Sequence, residues 1–171
     1  MIIAGLDPGL HGALVVVQDS PWRVLQVASW DVRKSSGNRR KAVAVINERM
    51  LDLRPVPEVA VVEAVGARPN QGSSSTFGFG LAAGAAEAVL AARGCRIVKV
   101  APSKWKRQLG LGQDKHKSMA FARIWYPDFP KWRITKDHNV AEALLLAVWY
   151  AMQEAHRTIR PKEAGKWGIL Q

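Results

Sequence analysis

Ile2-Ile3-Ala4-Gly5-Leu6-Asp7-Pro8-Gly9 is the stretch on which the reading of this chain turns. A strand-like apolar run stops at an acid, and Pro8-Gly9 then supplies a turn. Working outward, residues 13–18 are rich in β-branched side chains and residues 23–30 alternate loosely, with Asp19-Ser20-Pro21 between them. Joins this short predict three strands in an antiparallel meander. The opening pattern returns at residues 59–62, a second buried strand that again ends in an acid, Glu63.

Between these strands, a basic loop from Arg33 to Lys41 leads into a helix over 42–53. Val43, Ile46, Met50 and Leu53 share one face of it, and Pro55 and Pro57 stop it. Residues 64–76 are rich in Gly, Ser, Pro and Asn and read as a loop. Residues 77–92 read as a small-residue helix closed by Gly94, and 96–100 as a strand. Pro102 opens a further helix, another spans 115–125 up to Pro127, and 139–155 is helical and strongly apolar. A meander next to strand–helix–strand units, which need right-handed parallel crossovers, predicts an α/β fold. Its sheet is mixed, with helices on both faces. One domain over 1–155 is expected, followed by a basic C-terminal tail over 156–171.

Charge narrows the function. The 171 residues carry 25 Lys+Arg against 14 Asp+Glu, a net charge of +11. Such a field attracts polyanions, nucleic acid above all. The single cysteine, Cys95, rules out an intramolecular disulfide and a cysteine-rich zinc site. No signal peptide is read, and apolar runs are interrupted before membrane-spanning length, so a cytoplasmic protein without a membrane partner is expected. P-loop, GxSxG and HExxH patterns are absent from the sequence.

Three acids stand where charge is costly. Asp7 and Glu63 end apolar strands, and Glu142 lies within Ala141-Glu142-Ala143-Leu144-Leu145-Leu146. Each has a plainer reading: a turn for Asp7, the start of a polar loop for Glu63, a partly exposed helix position for Glu142. Buried charges persist when paired or bound to metal, and three converging acids favour metal. Carboxylate oxygens suit Mg²⁺ or Mn²⁺. His138 lies four residues before Glu142, on the same face if the helix begins early enough. Asp137 reads either as a ligand or as the helix N-cap, and His138 either as a ligand or as a surface histidine. His11, His116 and His156 have no partner at a suggestive spacing.

Ala4-Gly5-Leu6-Asp7-Pro8-Gly9, Val61-Val62-Glu63-Ala64-Val65 and Lys136-Asp137-His138-Asn139-Val140-Ala141-Glu142-Ala143-Leu144 resemble, in order, the first, second and last motifs of RuvC-type junction resolvases. Pro102-Ser103-Lys104-Trp105-Lys106 and Leu109-Gly110-Leu111-Gly112 before Lys115 also fit, so the resemblance runs to about residue 152, in the form common among phage-encoded members. It implies an RNase H-like homodimer that resolves four-way (Holliday) DNA junctions, cutting by hydrolysis with two Mg²⁺ or Mn²⁺ ions per site. Asp7, Glu63 and Glu142 match the metal ligands. Asn139 stands where the bacterial enzymes carry a further ligand, so Asp137 or His138 must substitute. Near Gly66 the aromatic that helps open the junction has no counterpart.

Basic residues cluster in three places, at Arg39, Arg40 and Lys41 within the Arg33–Lys41 loop, at Lys104, Lys106 and Arg107, and at Lys115 and Lys117. A single cluster is usually solvated surface, but three in so basic a chain favour DNA phosphates. Lys115 and Lys117 resemble the family's basic residues near the catalytic pocket. Trp105 and Trp132 read as packing residues before stacking platforms. The helix at 77–92 matches the family's dimer helix and could equally pack on its own sheet. The competing functions are an RNase H-like nuclease for flaps, forks or RNA–DNA hybrids, and an inactive nucleic-acid-binding module.

Overall fold

Short turns between β-branched runs produce the meander. β1 (Ile2–Asp7), β2 (His11–Asp19) and β3 (Trp22–Asp31) pair antiparallel, Ile2 opposite Gln18 and His11 opposite Asp31. β4 (Val59–Glu63) then joins β1 in parallel and β5 (Arg96–Val100) joins β4 in parallel, giving the order β3-β2-β1-β4-β5. The mixed sheet agrees with the expectation. The structure, a computed structural model, describes residues 1–32, 39–64, 66, 72–112, 114–128 and 134–158, with the side chains of 39–42, 134–136 and 156–158 excepted. Residues 156–158 of the expected tail are helical, and the rest of it lies outside the described residues.

Alternation along the central strands sorts side chains to two cores. Ile3, Val59 and Val61 face the long helix α5 (Ile134–Thr158), which is buried at every residue from 139 to 150. Ala4, Leu6, Ala60 and Val62 face α1 (Arg39–Leu51) and α2 (Ser73–Ala92). Leu144, Leu145 and Leu146 are fully buried, and each such burial contributes about 1.5–3 kcal/mol. Gly5 sets how closely α5 lies on β1: a Cβ there would stand 1.8 Å from the Ala143 carbonyl oxygen. α3 (Pro102–Gln108) starts at Pro102 as expected, and α4 (Lys115–Trp125) packs along α5.

The structure moves three helix starts. α1 begins at Arg39, not 42, so Arg39, Arg40 and Lys41 form its first turn instead of a loop. α2 begins at Ser73, not 77: Gly72 caps it and three serines fill the first turn, where their short side chains are tolerated. α5 begins at Ile134, not 139, so Asp137 sits in its first turn and is not the N-cap. α2 also meets, by length and composition, the requirement for crossing a membrane, with a window mean hydropathy of 1.3. The sequence reading found no such stretch. Here Ala82, Ala83, Ala86 and Leu90 of α2 are buried in the domain.

Candidate metal-nuclease site

Parallel pairing brings the first two acids together. Leu6 is in register with Val62, so Asp7 and Glu63 follow as the next residues of adjacent strands, on the side that faces α5. The glycine at position 5 then lets α5 approach, and Glu142 sits beside Ala143, the residue that Gly5 touches. Glu142 is buried, and Asp7 and Glu63 are partly so. Burial pushes the Asp7 carboxyl well above the usual carboxylate range, and the charges of Glu63 and Glu142 push it further; Lys106 and Lys115 oppose them. Asp7, Glu63 and Glu142 therefore sense one another.

Helix α3 supplies the partners. Lys106 Nζ lies 2.7 Å from Glu142 Oε1, with both side chains largely buried. Trp105, fully buried, donates its indole N–H to Glu63 Oε1 at 3.1 Å. Trp149 Nε1 donates to Gln108 Oε1 at 2.7 Å and ties the end of α3 to α5. Lys106 is thus turned toward an acid of the site, which the reading of it as a DNA contact alone did not foresee.

The last helix sets Asp137 and His138 at different angles from Glu142. At 3.6 residues per turn, His138 lies about 40° from Glu142 around the axis, and Asp137 about 140°. His138 is half-buried. Desolvation and the Lys115 charge hold its imidazole below its ordinary range, Glu142 acting in the opposite direction. His11 also bears on it, although spacing alone gave His11 no partner. Asn139 is buried and donates its side-chain amide to the His11 carbonyl, so it fastens α5 to the β1–β2 turn.

The positive ends of helices gather at the same edge. β1, β3, β4 and β5 point one way, so α1, α2 and α3, which follow β3, β4 and β5, start at the edge where Asp7 and Glu63 end their strands. Phe79 of α2 lies near Gly9 of the β1–β2 turn, in keeping with this. α4 opens with Lys115, His116 and Lys117, all exposed, after Asp114 caps the His116 N–H at 2.8 Å. Cations at a helix N-terminus oppose its dipole, which costs about 0.3–1 kcal/mol each. The same arrangement favours an incoming anion.

Two solved structures share this architecture. One is Thermus thermophilus RuvC in complex with a Holliday junction substrate, with a TM-score of 0.74 at 22% identity over 92% of this chain and 97% of that one. The other is a Thermus thermophilus RuvC structure, with a TM-score of 0.71 at 22% identity over 90% and 97%. The chain has the RuvC fold. No family model matches the chain. No curated protein matches it either.

On this RuvC fold, Asp7, Glu63, Glu142 and His138 converge with Lys106 and Lys115, while Asp137 is buried on another side of α5. Among the described residues, no three His, Cys, Asp or Glu side chains form a ready-made metal cage. The donor chemistry nevertheless fits a hard divalent cation. Carboxylate oxygens repel one another here, and a cation, Lys106, already sits on one of them. Lys104 and Arg107 are exposed on α3, with Lys104 Nζ 6.0 Å from the Trp149 ring centre. Of the other residues singled out, Gly66 is exposed, and Arg33, Lys34 and Trp132 lie outside the described residues.

Proposed function

We propose that this protein is a metal-dependent endonuclease that resolves four-way DNA junctions, working in the cytoplasm as a homodimer. The observation that carries the reading is the convergence of Asp7, Glu63 and Glu142, from two strands and a helix, at one edge of a RuvC-fold sheet. Asp7, Glu63, Glu142 and His138 would hold two Mg²⁺ or Mn²⁺ ions, and Asp137 is the weaker choice for the fourth ligand. Bound there, the ions supply Lewis-acid activation of a water and charge stabilisation at the scissile phosphate.

The chain's own residues do the rest. The carboxylates neutralise the ions and fix their place. His138, held toward its neutral form, keeps a lone pair free to ligate or to accept a proton. Lys115 and Lys117, at the positive end of α4, hold the DNA backbone beside the acids. Lys104 and Arg107 extend that contact along α3, and Arg39, Arg40 and Lys41 open α1 on the same edge. α2 offers the dimer contact: Phe77, Gly80, Gly84 and Ala88 recur at helical spacing and are exposed. Two related sites suit a substrate that must be nicked on two strands.

A substrate panel tests the reading. Synthetic four-way junction, flap, RNA–DNA hybrid and plain duplex are incubated with protein and Mg²⁺. The junction should be cut fastest. Preferential cutting of the hybrid or the flap would transfer the activity to that substrate. Binding without cutting on every substrate would leave an inactive binding module.

A further inference from the structure

Trp105 stands between two acids that come from different elements. Its side chain is fully buried and has one polar atom, the indole N–H, which donates to Glu63 Oε1 of β4 at 3.1 Å. The face of its ring lies 5.1 Å from the Lys106 ammonium, and that ammonium holds Glu142 Oε1 of α5 at 2.7 Å. We propose that Trp105 is a positioning residue of the site, fixing Glu63 directly and Glu142 through Lys106 so that both carboxylates are ordered before a divalent cation arrives.

The physical case rests on how little freedom the indole has. A buried tryptophan N–H requires an acceptor, and here the acceptor is a carboxylate of the site. A carboxylate already held through one oxygen loses less rotational freedom when it ligates. Outer-shell donors of this kind orient ligands, and their loss typically weakens metal affinity by about 10–100-fold. Plain packing of α3 is the competing role, and the fold supplies its own control. Trp149 is also buried and docks the same helix, but its N–H goes to Gln108 and to no acid.

This inference rests on the nuclease reading, and the experiment separates the two. Mn²⁺ is titrated into DNA-free wild type, Trp105→Phe and Trp149→Phe, with free Mn²⁺ read by electron paramagnetic resonance and melting followed in EDTA. Trp105→Phe should bind Mn²⁺ about tenfold more weakly, with Trp149→Phe staying within about twofold of wild type. Both should lose melting temperature. Should Trp105→Phe fail to fold, spectra of ¹⁵N-indole-labelled protein decide. One indole resonance should shift in Glu63→Leu and the same one should broaden with substoichiometric Mn²⁺. Wild-type Mn²⁺ affinity in Trp105→Phe, an equal loss in Trp149→Phe, or no indole responding to both treatments overturns the role of Trp105 alone. A wild type that neither binds Mn²⁺ nor cuts a junction overturns the nuclease reading, and this inference with it.

Discussion

α5 and α2 are both long apolar helices, laid on opposite faces of one sheet, and they are used differently. α5 is consumed by its own domain: residues 139–150 are all buried, Glu142 among them. α2 buries Ala82, Ala83, Ala86 and Leu90 and leaves Phe77, at 57% exposure, in the open with Gly80, Gly84 and Ala88. A charge inside a helix that is otherwise all core is expensive, so it points to chemistry. An apolar face left in the open is free for the proposed dimer contact. The glycines say the same. Gly5 is fixed by contact, since a Cβ there would overlap α5, whereas a Cβ on Gly84 meets nothing within 4 Å.

The largest effect expected is on the α5 side. Asp7→Asn, Glu63→Gln and Glu142→Gln should each lower junction cleavage by more than about a hundredfold, since groups one shell further out already cost 10–100-fold. Binding to the junction in a gel-shift assay should survive. Near-normal cleavage by any one variant removes that residue from the site.

Next come the two glycines. Gly5→Ala should destabilise the monomer by at least about 1–3 kcal/mol, as overpacking does, and displace Glu142 with α5. Gly84→Leu should change monomer stability by less than about 0.5 kcal/mol, as for an exposed site. It should nevertheless shift the proposed dimer toward monomer in analytical ultracentrifugation. Equal melting temperatures for the two variants would erase the contrast between the helices. A wild type that is monomeric alone and on a junction would end the assignment of α2.

A smaller effect concerns acidity. The folded Asp7 carboxyl keeps its proton to a higher pH than the unfolded one. Between those two values the native state binds more protons, so metal-free stability falls as pH rises. Melting in EDTA across that range should show the decline in wild type and less of it in Asp7→Asn, which should be the more stable variant at neutral pH. An unchanged slope would mean that Asp7 is not desolvated among like charges.

The smallest effect belongs to the basic edge. Affinity for the junction should fall steeply with salt, and Lys115→Ala or Lys117→Ala should each lower the slope of log K against log salt by about one. A flat dependence would contradict phosphate contact at the start of α4.

What the sequence disclosed follows the same physics. The strands were legible because β-branched runs ended at turns, and Asp7, Glu63 and Glu142 because charge in such runs is costly. Helix starts were not. Ser73-Ser74-Ser75 reads as loop by composition, yet it forms the exposed first turn of α2, whose buried residues begin only at Ala82. The early start of α5 likewise resolved what spacing left open, placing His138 and Glu142 on one face. Pairings across elements carried no local signal. Lys106 with Glu142, Trp105 with Glu63 and His11 near His138 join residues 36, 42 and 127 positions apart, and only the fold brings them together.

The most direct measurement is product mapping on one synthetic four-way junction, with each strand end-labelled in turn and the wild-type protein supplied with Mg²⁺ or with EDTA. The account predicts paired nicks at symmetry-related positions on two opposed strands with Mg²⁺ and an uncut junction in EDTA. Cleavage that persists in EDTA, or an intact junction at saturating protein and Mg²⁺, would contradict it.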